Sequence, residues 1–290
     1  MTIEVAAMVC VGIAALVAGL ILAQPRFRAA SGAAKMIVLG PIFVACALAM
    51  FAAEHFTAAR DLMPIVPHWL PAPLFWTYFV GTALLAAAIS FIAWRCVRWS
   101  ASLLALFFLI IVATLDLPNL PQQIHAHDRF FWILTVRETS FAAGAMVLAG
   151  SVWPLGHSAG TALMRIGRAI VAFVMIFYAI QHFLHPRHVP GVPLEKLIPV
   201  WMPAPVLLSC FIGAVLLLAG IGLFLRPTIR IAGAGAGIAL LLLTAFFYVP
   251  IFVMEIHTPL AVEGINYVGD TLLFAGTVLL AAFGANGAAV

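Results

Sequence analysis

The chain has 290 residues, 65% of them hydrophobic and only 8% charged, with a mean hydropathy of +1.18. Soluble domains run at about 45–50% apolar and about 25% charged, so a cytosolic enzyme, a DNA-binding protein and any sizeable domain outside a bilayer are excluded. The net charge of +4 and isoelectric point of 9.1 speak of membrane orientation rather than nucleic-acid affinity, because surplus Lys and Arg mark the cytoplasmic loops of membrane proteins.

Apolar runs bounded by charges or prolines fall at about 4–23, 36–53, 74–94, 100–118, 131–152, 168–184, 205–225, 231–253 and 264–284. They predict nine transmembrane helices in an all-α polytopic bundle. The first run has Glu4 ahead of it and Arg26, Arg28 and Lys35 behind it. That charge order predicts a retained helix with its N-terminus outside, not a cleaved signal. The connections after runs one, three, five and seven carry nine of the fourteen basic residues, including Arg95, Arg98, Arg165, Arg168, Arg226 and Arg230, and no acid. All ten acids and eight of nine histidines fall on the other side or at helix ends facing it. The expectation is a multi-pass inner (plasma) membrane protein with a cytoplasmic C-terminus and its chemistry on the outer face. Cys10, Cys46, Cys96 and Cys210 show no CxxC spacing and read as buried free thiols.

Trp69-Leu70-Pro71-Ala72-Pro73 recurs as Trp201-Met202-Pro203-Ala204-Pro205, a shift of 132 residues. Under that shift, residues 69–150 match 201–282 at 23 of 82 positions, including Gly81 with Gly213, Arg98 with Arg230, Pro118 with Pro250 and His125 with His257. Glu138 meets Asp270, Asp116 meets Tyr248, and five extra residues in the second outer loop separate this block from the match of His55-Phe56 to His182-Phe183. The sequence therefore divides into an N-terminal helix within 1–30 and two units, 36–152 and 165–284. Each unit has four helices, an even number, so the two insert in parallel about an axis along the membrane normal.

His-Phe ending the first helix of a unit, a Trp-x-Pro-Ala-Pro loop and a glycine early in the next helix (Gly81, Gly213) make each unit resemble the DoxX-like family. The run Gly213-Ala-Val-Leu-Leu-Leu-Ala-Gly-Ile-Gly222-Leu is similar to that family's glycine-bearing second helix. The resemblance implies the four-helix fold. Families built on this unit include the membrane subunit of thiosulfate:quinone oxidoreductases, so by fold-level analogy it also implies a quinone-linked redox role.

Comparing the units exposes candidate residues. Glu54-His55 is answered by Gln181-His182, and Gln123-Ile124-His125 by Glu255-Ile256-His257. Each unit thus offers two histidines and one glutamate, and His55, His125, His182, His257, Glu54 and Glu255 form the candidate set for a divalent transition metal. His127 and Asp128 supplement the first unit. The alternative is polar helix ends satisfied by loop carbonyls and water.

Glu138 and Asp270 are acids near the outer starts of runs five and nine. An ionisable group in a span is usually paired or functional, whereas an acid at a helix N-terminus is also a common cap. Arg137 is adjacent to Glu138, but helix neighbours point about 100° apart, and the second unit has Gly269 there. The acid therefore answers to something elsewhere in the bundle. Glu138, Asp270 and Asp116 are the candidate catalytic or proton-relay groups. Trp69, Trp201 and Arg137 are placed to contact a bound cofactor; for the tryptophans, with Trp76 and Tyr78, the alternative is an aromatic belt. Gly233, Gly235 and Gly237 permit close helix packing and are not a nucleotide loop.

Three functions compete. One is a membrane component of a quinone-linked oxidoreductase with an outer-face protein partner. The second is a carrier or binder of a small apolar molecule or lipid at the interface of the units. The third is a non-catalytic scaffold, whose signature is a sealed interior.

Overall fold

The computed structural model describes residues 1–125, 129–154, 156–191 and 196–284. They form nine long helices: α1 Ile3–Ala29, α2 Ala34–Thr57, α3 Pro73–Ala93, α4 Val97–Gln122, α5 Arg129–Ser151, α6 Ser158–Leu184, α7 Pro205–Phe224, α8 Ile229–Glu255 and α9 Ala261–Ala281. Eight are long and apolar enough to cross a membrane. The other, α5, has 23 residues but carries Arg129, Arg137 and Glu138. Among the described residues there is no strand, only an isolated bridge between His188 and Leu197. The protein is an integral membrane helical bundle.

Local chemistry sets the helix ends. Pro73 and Pro205 open α3 and α7, where a proline's missing N–H is no loss and its fixed φ suits the first turn. Each follows an alanine in the left-handed region, Ala72 (φ 54°) and Ala204 (φ 47°), 132 residues apart. The same separation relates two π-helical segments, Val112–Asp116 within α4 and Thr244–Tyr248 within α8. Segments of this kind concentrate at functional sites.

α5 and α9 pack on each other at the centre. One ring runs α2, α3, α4, α5 and back through α9; the other runs α6, α7, α8, α9 and back through α5. Almost all of α9 is buried, while α1 lies outside against α2 and α3 with most of its surface exposed.

Two expectations are corrected. α6 begins at Ser158, ten residues before the expected start, so Arg165 and Arg168 lie in a helix and not in a connection. Arg168 Nε donates to the carbonyl of Ala281 at 2.7 Å and its Nη2 to that of Phe283 at 2.9 Å, capping the C-terminal end of α9. Of the four free thiols only Cys46 is buried; Cys10 and Cys96 are exposed and Cys210 is intermediate. Cys10 and Cys210 lie on helices in apolar runs, where lipid solvates a thiol as well as a core does, and Cys96 lies in the α3–α4 turn.

Candidate functional site

Inside the first ring lies a cavity of about 460 Å³, within the range of small-molecule sites. Leu48 and Phe51 from α2, Val80 and Leu84 from α3, Phe107 and Ile111 from α4, and Phe141 and Leu273 from α5 and α9 make its walls apolar. Leu62, Ile65, Val66, Pro67, Trp69 and Leu70 from the α2–α3 loop close one end. Phe79 and Ile110 line it from α3 and α4 and are themselves about half exposed, at 52% and 50%, so it opens between these helices on the lipid-facing surface.

His55, Arg137, Glu138 and Asp270 also line this space. Arg137 Nη1 donates to Asp270 Oδ2 at 2.5 Å, and its Nη2 stands 3.9 Å from Glu138 Oε1. One guanidinium serves both acids, which answers why α9 keeps its acid without a base beside it. All three side chains are largely buried, at 13%, 15% and 18% exposure. Asp116 ends the π-helical segment of α4, and its Oδ2, like Glu138 Oε2, is buried without a hydrogen-bond partner among the described residues. Glu138, which lines the cavity, thus keeps an acceptor oxygen without a donor among the described residues, beside a fixed cation.

His55 donates from Nδ1 to the carbonyl of Phe51 at 2.8 Å. A carbonyl only accepts, so this bond places the proton on Nδ1; in the neutral ring, Nε2 is then an acceptor. Gly81 of α3 packs directly against it: a Cβ there would stand 2.8 Å from His55 Cβ. His182 is built alike, with Nδ1 donating to the carbonyl of Tyr178 at 2.5 Å and Gly213 packed so that a Cβ would meet His182 Cβ at 2.9 Å. There the likeness ends. His182 is fully buried, and its Nε2 accepts the N–H of Gly191 at 2.8 Å.

The α6–α7 loop therefore enters the second ring. Tyr248 donates its hydroxyl to the carbonyl of Pro190, Val189 is fully buried, and Gly191 sits at φ +90° against Leu243 and Tyr248. Lys196 ties the loop to α8 and α9, pairing with Glu255 at 2.6 Å and Glu263 at 3.4 Å. On the same loop His185 and His188 are held below the ordinary imidazole range, first by partial desolvation and then by the charge of Arg129. An apolar groove of about 570 Å³ remains outside, between α7 and α8, lined by residues such as Met202, Phe211, Ile212 and Phe246.

The expected metal set does not assemble. Among the described residues no group of three or more His, Cys, Asp and Glu side chains is placed to hold an ion. Both ring nitrogens of His182 are occupied by backbone, Glu255 is paired with Lys196, Glu54 accepts from Asn266 Nδ2 at 3.0 Å, and His125 and His257 are exposed. His127 and Asp128 lie outside the described residues. Trp69 lines the cavity and is exposed; Trp201 is also exposed, but its neighbour Met202 is the residue lining the second groove. The structure thus brings together His55, Trp69, Arg137, Glu138 and Asp270, with Asp116 beside them. Sequence reasoning did not anticipate Asn266, the pairing of Lys196 with Glu255 and Glu263, or the Pro190–Gly191 insertion, although the five extra loop residues were a signal for the last.

A model for a domain of unknown function (DUF8561) matches residues 44–117, from the middle of α2 to just past the π-helical segment of α4. No curated protein and no solved structure matches the chain.

Proposed function

We propose that the protein binds an apolar molecule with a small polar head, admitted from the bilayer between α3 and α4, and that it serves as a membrane component of a quinone-linked oxidoreductase system. The observation that carries the first part is one cavity whose apolar walls end on His55, Arg137, Glu138 and Asp270. An open cavity of that size also argues against a pure scaffold with a sealed interior.

The quinone reading is favoured by the acids at this end, Glu138 and Asp116, each with a buried oxygen that lacks a hydrogen-bond partner among the described residues. A quinone and its reduced form differ by two electrons and two protons. In this reading Arg137 donates to a ring oxygen, His55 accepts from a hydroxyl of the reduced form, Glu138 and Asp116 take up or give the protons, Trp69 covers the mouth, and an outer-face partner protein supplies or takes the electrons. The DoxX-like character proposed for both units supports the same assignment, as does the matching construction around His55 and His182. The polar end lies on the acid-bearing side, opposite the Arg-rich connections. Positive-inside orientation therefore puts the site on the outer face of a plasma membrane, with the N-terminus outside and the C-terminus cytoplasmic.

The test is photolabelling in lipid nanodiscs with a short-tailed azidoquinone, followed by peptide mapping. Saturable labelling of α3 and α4 residues such as Phe79 or Ile110, reduced by Arg137→Met, is the expected result. Labelling spread evenly over lipid-facing helices would overturn the proposal.

A further inference from the structure

The chain carries its own stand-in for the ligand. In the second ring, Gly191 lies against His182, Leu243 and Tyr248. The matching residues of the first ring are His55, Ile111 and Asp116, of which His55 and Ile111 line the open cavity. The Pro190–Gly191 backbone therefore occupies, in one half of the protein, the place that is open in the other. What it presents there is specific: an N–H donated to His182 Nε2 and a carbonyl accepting the Tyr248 hydroxyl.

His55 shares the imidazole orientation of His182, fixed by the same Nδ1 bond to the carbonyl four residues earlier. Its Nε2 has no hydrogen-bond partner among the described residues, and the ring borders the cavity. We infer that the first cavity selects molecules that donate a hydrogen bond to His55 Nε2 from a hydroxyl group on an apolar body, in the manner of the Gly191 N–H in the second ring. This inference rests on the apolar-ligand reading above and narrows it. The neighbouring groups suit a hydroxyl better than an amide. Tyr248, which takes the Pro190 carbonyl, is replaced by Asp116, so the fixed phenol donor is missing. A hydroxyl both donates to the imidazole and accepts from the Arg137 guanidinium. A bare carbonyl offers nothing to an acceptor nitrogen and leaves it desolvated without a partner.

Hydroxyls of this kind occur on hydroquinones and on isoprenoid alcohols. The experiment measures binding to the full-length protein in nanodiscs by calorimetry, with four probes: a decyl-tailed hydroquinone kept reduced, its quinone, its dimethyl ether, and farnesol. At least one hydroxyl probe is expected to bind about tenfold tighter than the quinone and ether, the equivalent of one net hydrogen bond. A hydroquinone preference identifies a phenolic ligand and a farnesol preference an isoprenoid alcohol, and either supports the inference. His55→Phe should bring the hydroxyl and ether probes within about twofold of each other, while His55→Gln, which retains an acceptor, should restore part of the gap. The wild-type comparison needs no variant, so it stands even if a substitution misfolds. Equal binding of all four probes overturns the hydroxyl assignment and leaves the apolar-ligand reading standing. Binding of none overturns both.

Discussion

Arg137 Nη1 and Asp270 Oδ2 meet at 2.5 Å across 133 residues of sequence, joining the two central helices α5 and α9. The pair sits where both rings share a wall, and Asp270, although on α9, faces the same cavity as Glu138. A charged link at this point holds the centre of the bundle together and also sets the polarity of the site.

Removing one partner should therefore be costly. Arg137→Met leaves Asp270 and Glu138 as largely buried acids without their cation. Breaking such a pair on one side costs about 3–5 kcal/mol, whereas replacing both sides with apolar groups is often close to neutral. The double variant Arg137→Met, Asp270→Leu should consequently recover much of the thermal stability lost by either single change. Additive losses in a detergent unfolding series would mean that the two side chains do not depend on each other.

Gly81 and Gly213 give a second contrast. Alanine at either position puts a Cβ within 3 Å of a histidine Cβ, and overpacking of this kind costs about 1–3 kcal/mol. The consequences should differ. Gly81→Ala displaces His55 and should weaken ligand binding several-fold. Gly213→Ala displaces a histidine already sealed by Gly191 and should lower stability with the affinity unchanged. Equal effects on binding would refute the division between an open and a closed half.

The spans were legible because a bilayer demands about 20 apolar residues at a time, and helices such as α3 and α7 declare their starts with proline. That Glu138 and Asp270 answer to a partner was legible for the same reason, since acids in such segments are usually paired or functional. Their shared partner was not. Arg137 reaches a residue on another helix, and neighbouring positions along α5 say nothing about that. The histidine pattern misled because identical residue types in matching positions do not have identical surroundings: His55 faces a cavity, and the counterpart His182 faces its own loop. Spacing cannot reveal which of two imidazoles is covered. Arg168 shows a further limit, because a base near a predicted connection reads as a topology signal until the end of α9 is found beneath it.

Arg168→Ala should accordingly reduce stability by about 2 kcal/mol, through the loss of two charge-assisted bonds to carbonyls that then lack a partner. Arg168→Lys should restore only part of this, since an ammonium does not reproduce the guanidinium fork that reaches both Ala281 and Phe283. The readout is the thermal midpoint in detergent together with amide exchange in the last turn of α9. Full rescue by lysine would show that charge alone suffices.

The α6–α7 loop should be sensitive to acid. His185 and His188 bind protons less readily in the folded loop than in an open chain, where their pKa is 6.5. As pH falls through 6.5 the open form gains protons first, so acid favours opening and higher pH favours the closed loop. Protection of the amides of Val189 and Ile198, which bond to the carbonyls of Lys196 and Arg187, taken relative to the intrinsic exchange rate at each pH, should fall below that pH more than protection elsewhere. A uniform loss of protection across the bundle would count against a local effect.

Orientation can be read from thiol labelling. Cys96 is exposed in the short α3–α4 turn beside Arg95 and Arg98, at the end of the bundle opposite His55 and Trp69. A variant retaining Cys96 alone should resist a membrane-impermeant maleimide added to intact cells and react once the membrane is permeabilised. A Trp69→Cys variant lacking the native thiols should behave in the reverse way, because that residue lies on the exposed loop over the cavity. The two positions flank one helix, so a single crossing of the bilayer requires opposite outcomes. If Cys96 reacts from outside and position 69 does not, the surplus of Arg and Lys is not governing insertion. The cavity would then face the cytoplasm, and its polar groups would exchange protons with that compartment instead.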